Sequence, residues 1–364
     1  MEDIGNNMHG PFRKVNILSS AMPGVNDLYA LMPKEAKAEL ERRYGRILDL
    51  LRISVDPAFM RALIHFWEPE FRCFRFPHFD IVPTLEDYDL MIKWPKSRGV
   101  FFVQEGCISS DKVAELIGLP LHLSILEGNG AIKGWKLSIL EEHLSLLIHQ
   151  GNWMTFNKTL ALIFFGIILF PFHEKVIDHV AIDAFFAWDA HSNSPIPAIL
   201  ADTLITINFC QQKSGKQIRC CNPLLYVWEY THFFAKNHMG KLPDPLRSFH
   251  RIPALRKYAM AWKAEMEDCT KETLTWMCPW FRPSHMLVRC GRFSNLPLMG
   301  LRGCIAYSPK LVLRQLGRTQ TLPNQEDFGG ICFLYTSGKQ SQIDVIKKVW
   351  NKPLYFRDSE LDKP

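Results

Sequence analysis

Between Lys158 and His173 the chain runs for 14 residues, TLALIFFGIILFPF, without a charge. A membrane-spanning helix needs about 20 such residues, so the run reads as a helix buried in a protein core, and no membrane partner is expected. A helix that is apolar all round must be covered on every side by other elements. The chain has the material for that: 25 Phe, 10 Trp and 9 Tyr in 364 residues, each ring burying on the order of 150–250 Å². At 47% hydrophobic and 22% charged residues, disordered and low-complexity classes are excluded.

Helical patterns dominate the remainder. Lys34–Ile53 places Leu40, Tyr44, Ile47, Leu48 and Leu51 on one face. Asp56-Pro57 is an N-cap followed by proline at the first helical position, and Thr84–Asp87 makes a capping-box variant. A helix over Asp111–Ile117 ends at Gly118. Further helices are predicted at Leu137–His149, Phe156–Phe170, Glu174–Trp188, Pro197–Gln211, Pro223–Asn237, Ala254–Met266 and Gln342–Trp350, with Ser308-Pro309 opening another. CFRF, GVFFV, MLVRC and GGICFLY are the strand candidates. The expected fold is mainly α, a compact multi-helix domain with a few short strands or extended segments. Trp67, Phe74, Phe76, Leu85, Leu200, Leu225 and Trp228 are its predicted core.

Residues 1–25 read as a flexible leader, 26–355 as one globular unit and 356–364 as a tail. A boundary between two lobes would fall near 240–253, where the chain is rich in turn residues. The ten cysteines are scattered without a C-x-x-C pair. The N-terminus lacks a signal peptide's basic start and long apolar stretch, so reduced thiols in an intracellular compartment are expected.

Charge is unevenly placed. From Thr273 to Gln325 there is no Asp or Glu, while Arg282, Arg289, Arg292, Arg302, Lys310, Arg314 and Arg318 are present. That stretch carries +7 and the rest of the chain −1, against a total of +6. Such asymmetry is an electrostatic footprint for an anion, nucleic acid included. Arg289, Arg292, Arg302, Lys310, Arg314 and Arg318 are therefore candidate nucleic-acid or anion contacts. The other use of these side chains is to pair with carboxylates elsewhere in the fold. Asp202, an acid in the apolar string ILADTLITI, needs a partner, and Asp202 with Arg302 is the candidate structural ion pair.

Catalytic signatures are absent. No G-x-S-x-G, Walker A or H-E-x-x-H string occurs. His173 and His179 stand about 600° apart on a helix and share no face. Cys210, Cys220, Cys221, His232 and His238 cluster in sequence, but adjacent cysteines and loose spacing do not suit a tetrahedral zinc site. A nuclease would have to gather Asp183, Asp202 and Glu229 around two metals. No catalytic residue, metal or cofactor is expected, and the chain reads as a non-enzyme.

Four strings carry a resemblance: ALIHFWEPEFRCFRFPHFDIVPTLEDYDLMI (62–92), SPIPAILADTLITI (194–207), IRCCNPLLYVWEYTHFF (218–234) and VRCGRFSNLPLMGLRGCIAYSPKLVLRQLG (288–317). Together they resemble the plant domain-of-unknown-function family related to the aminotransferase-like plant mobile domain, whose members are transposon-associated or domesticated proteins. The chain departs from that pattern at Tyr88, where a second acid is common after Asp87, at Leu296 and at Arg318. Longer members continue into helical regions, and no partner-binding tail of that kind is expected after DSELDKP. The resemblance supplies no catalytic residues, and nothing marks a Schiff-base lysine for pyridoxal phosphate. It implies a nuclear interaction or scaffold module linked to transposon biology or silencing, with protein partners. Nucleic-acid binding through 273–325 is the alternative, and a degenerate transposase-like nuclease a remote one.

Overall fold

The uncharged run lies in the core. The Trp153–Phe164 helix continues through a π-helical turn at Phe165–Leu169, and every residue from Thr159 to Pro171 is buried. The computed structural model describes residues 12, 15–17, 22–103, 110–123, 126, 133–238, 244–249, 257–316, 321–336 and 338–357. Among these, no helix is long and apolar enough to cross a membrane. The architecture is mixed α/β with helices dominant, and the strands form small sheets of two or three.

The hub is the Ile196–Gln212 helix, which packs against helices Pro57–His65 and Leu85–Ile92. Strands Lys216–Ile218, Leu296–Met299 and Gly303–Tyr307 cover it as well. Apolar residues occupy nearly all its faces, the pattern of a helix enclosed by protein. Its buried polar groups are answered locally: Thr203 Oγ1 donates to the Ile199 carbonyl at 2.9 Å, and Asn208 Oδ1 accepts from the Trp67 indole at 3.2 Å. All seven predicted core residues are buried. Rings of Phe59, Tyr226, Tyr230, Phe234, Phe249 and Trp262 extend that core by edge-on and tilted contacts.

Helix starts follow their caps. Asp56 Oδ1 accepts from Ala58 N at 2.8 Å, and the Thr84–Asp87 capping box closes in both directions. Other expectations need correcting. Lys34–Ile53 is not one helix: Lys34–Tyr44 stops at Gly45, and Ile47–Arg52 follows as a 3₁₀ turn. Gly45 has φ +62, and a Cβ there would meet the Ile92 and Lys93 carbonyl oxygens at 2.7 and 2.9 Å, so only glycine fits. The expected helix from Glu174 begins at His179, because Val176–Asp178 pairs with Gly134–Lys136 as strands.

The expected leader and tail are also part of the fold where they are described. Val15–Ile17 lies parallel to Lys216–Ile218, and Pro353–Arg357 pairs antiparallel with His285–Cys290. Within 240–253, the described Pro245–Phe249 helix is packed by Leu246 and Phe249, both buried. Arg247 on that helix donates to Asp49 at 3.3 Å and pairs with Glu41.

The segment between the MLVRC strand candidate and Ser308, where no strand was expected, forms the largest departure. Leu296–Met299 and Gly303–Tyr307 are antiparallel strands, buried along their whole length, with Cys332–Leu334 added on the far side. The Ser308-Pro309 start leads into a 3₁₀ helix, Pro309–Leu316. The buried Ser308 hydroxyl has no hydrogen-bond partner among the described residues.

Candidate functional site

One stripe of the hub helix is left uncovered. Asp202, Ile205, Thr206 and Phe209 are only half-buried or exposed, and their 3, 4 and 7 spacing puts them on one face. They open onto a cleft of about 390 Å³. Phe170–Phe172, at the end of the π turn, forms one wall; Lys216 comes from the strand after the hub helix and Arg219 from the residue just past it. The turn at Leu301–Arg302 and the side chain of Leu334 complete it.

Chemistry in the cleft centres on Phe172. The Arg302 guanidinium lies 3.7 Å from its ring centroid and that of Arg219 4.4 Å, within range for a cation on a ring face. Arg302 Nη2 also donates to Asp178 Oδ2 at 2.6 Å. Asp178 is fully buried and caps the His179–His191 helix, accepting from Val180 N at 3.1 Å. Arg219 has no ion pair among the described residues, and neither has Lys216. Partial burial and then the Arg302 charge lower the pKa of Arg219. Lys213 and Lys216 sit 5.4 and 5.6 Å from the Phe209 ring.

The expected Asp202–Arg302 ion pair does not form. Asp202 Oδ1 instead accepts the Leu301 backbone N–H at 2.9 Å, which pins the hairpin turn and sends the next side chain, Arg302, to Asp178. Burial raises the Asp202 carboxyl to about 7, against the Leu301 hydrogen bond and the Arg302 charge. This close approach requires Gly300, since a Cβ there would run into Asp202 Oδ1. Gly300→Ala is expected to lower stability by about 1–3 kcal/mol, the usual cost of overpacking. An unchanged denaturation midpoint for that variant would contradict the geometry.

Where the basic stretch is described, its side chains are put to different uses. Of its candidate contacts among the described residues only Arg302 lines the cleft. Lys310 pairs with Asp327 at 2.9 Å, while Arg289 and Arg292 are exposed. The Arg314 side chain and all of Arg318 lie outside the described residues. Arg282 donates to the carbonyls of Phe281 and Cys278 at 2.8 and 3.3 Å.

The acids and thiols are dispersed. Among the described residues no three of His, Cys, Asp and Glu could hold a metal ion together, so Asp183, Asp202 and Glu229 form no such centre. Glu229 is fully buried, its oxygens have no hydrogen-bond partner among the described residues, and burial pushes its pKa well up. Cys210, Cys220 and Cys221 are buried, and burial raises each thiol, Cys221 to about 12. Burial lowers His232 to about 4, and its Nδ1 lies 2.7 Å from the Thr275 carbonyl oxygen; the His238 side chain is outside the described residues. Sequence reasoning missed Phe172, Asp178, Lys216 and Arg219, which carry no motif. The half-covered 202, 205, 206, 209 stripe was the one available signal.

A helix-dominated α/β unit with a cationic, aromatic-walled cleft is the class of protein these observations define. The chain belongs to the family described as Domain of unknown function (DUF7745), whose family model matches residues 25–363. No curated protein and no solved structure matches it.

Proposed function

We propose that this chain is a non-enzymatic interaction module, a transposon-derived relative of the aminotransferase-like plant mobile domain that works in the nucleus in transposon biology or silencing. The observation that carries this reading is the division of labour among its polar groups. Buried carboxyls serve as caps and hydrogen-bond acceptors, as Asp87, Glu86 and Asp178 do. The groups that face the cleft are guanidinium, ammonium and phenyl beside one carboxyl, Asp202, whose Oδ1 is taken up by the Leu301 N–H, an arrangement suited to recognition. The four strings resembling plant mobile domain relatives support the nuclear and transposon link, by analogy of fold and not of chemistry.

A second reading, nucleic-acid binding through 273–325, is favoured by Arg289 and Arg292, which are exposed with no ion pair among the described residues. Affinity purification from plant nuclei, with and without nuclease, separates the two. The interaction reading expects protein partners that survive nuclease. Partners lost on digestion, together with affinity that falls linearly in log salt, would favour nucleic acid.

A further inference from the structure

Two guanidiniums pack on the one ring of Phe172, and a single carboxylate, Asp178, answers only one of them. Lys216 adds a third cation to the same cleft. Setting Arg302 against Asp178 leaves Arg219 and Lys216 in positive excess over Asp202, the acid that lines the same cleft. That excess matches a phosphate monoester, which carries about −1.5 to −2 near pH 7. Guanidinium forks also fit phosphate oxygens in pairs.

The rest of the cleft is built for the other end of such a molecule. Phe209 is 38% exposed and Leu334 53% exposed, and Ile205, Phe170 and Pro171 continue the apolar lining. A volume of about 390 Å³ falls within the usual range of small-molecule sites. We infer that the Phe172 cleft binds a small phosphate monoester with a planar or apolar body, of nucleoside monophosphate size. Its phosphate lies on Arg219, Lys216 and Arg302, and its body on Phe209 and Leu334.

Asp202 makes that binding dependent on pH. Its carboxyl faces the Leu301 N–H, the charges of Arg302 and Asp178, and the Cys220 and Tyr335 side chains on neighbouring elements. Protonated, it is neutral and can donate to a phosphate oxygen; ionised, it repels the dianion. Protonation of Asp202 therefore offsets the charge that the ester itself loses between pH 8 and 6, its second pKa being near 6.

The test is calorimetric titration of the full chain with adenosine monophosphate, phenyl phosphate, inorganic phosphate and adenosine. Both esters are expected to bind at least tenfold more tightly than inorganic phosphate or adenosine. Arg219→Gln, at an exposed position, weakens the esters at least tenfold with its melting temperature unchanged. Phe209→Ala weakens the esters but not inorganic phosphate, and Asp202→Asn loses more ester affinity from pH 8 to pH 6 than the wild type does. Equal affinity in Arg219→Gln, inorganic phosphate binding as well as the esters, or no binding would each overturn the inference. The inference stands apart from the proposed function, since a module with no small ligand would fail this titration and still keep its nuclease-resistant partners.

Discussion

Replacing Arg72 by alanine is expected to cost about 3 kcal/mol, since a hydrogen bond from a charged donor contributes about 1.5–3 kcal/mol and two are lost. Arg72 is only 8% exposed, and burial lowers its pKa. Its Nη1 donates to the carbonyls of Ala306 at 2.7 Å and Ile331 at 2.8 Å, and its guanidinium lies 4.5 Å from the Phe328 ring centroid. Those carbonyls belong to the buried Gly303–Tyr307 strand and to the residue just before Cys332–Leu334. Alanine would leave the Ala306 carbonyl without this donor and open a cavity beneath Phe328. Arg72→Lys should recover only part of the loss, because an ammonium lacks the planar fork and stacks poorly. Urea denaturation measures it, and a loss under about 1 kcal/mol would show that the clip is dispensable.

Stability is expected to fall as pH rises from about 4 to 7. Burial raises Glu86, Asp87 and Asp202 each to about 7 and pushes Glu229 well up. Unfolded, such groups titrate near 4, so across that window the native state holds more protons than the unfolded chain. Stability therefore declines with rising pH and levels off above the folded values. His232 works in the opposite sense: its folded pKa is near 4, so it costs stability as pH falls below its unfolded value of about 6.5. The raised carboxyls outweigh the one imidazole and give a higher melting temperature at pH 5.5 than at pH 7.5. Glu229→Gln should flatten part of this slope and raise stability at pH 7.5, since it replaces an unpartnered acid by a neutral amide. A melting temperature that climbs from pH 5.5 to 7.5 would contradict the burial of these groups as acids.

What could be read in the chain divides along physical lines. Helices with local signals were legible: the Asp56-Pro57 cap, the Thr84–Asp87 box and Gly118 with φ +64 all stand where their chemistry puts them. The Leu296–Met299 and Gly303–Tyr307 strands were not, because strands buried on both faces lack the alternation that marks a half-exposed one. Pro297 argued against a strand as well. It is tolerated because Leu296–Met299 is the edge strand of its sheet, and its carbonyl accepts from the Trp350 indole at 2.8 Å. The cleft was the least legible part, since Phe172, Asp178, Arg219 and Arg302 come from separate segments. That Arg302 would need a carboxylate was readable; that the carboxylate would be Asp178 and not Asp202 was fixed by the Leu301 N–H.

The central proposal is that the chain binds and does not catalyse, with Asp202 holding a turn. The most direct measurement is release of labelled fragments from a DNA duplex with Mg²⁺, comparing the wild type with Asp202→Asn. The account predicts no cleavage above background by either protein. Magnesium-dependent cleavage by the wild type, abolished in an Asp202→Asn variant that melts at the same temperature, would contradict it.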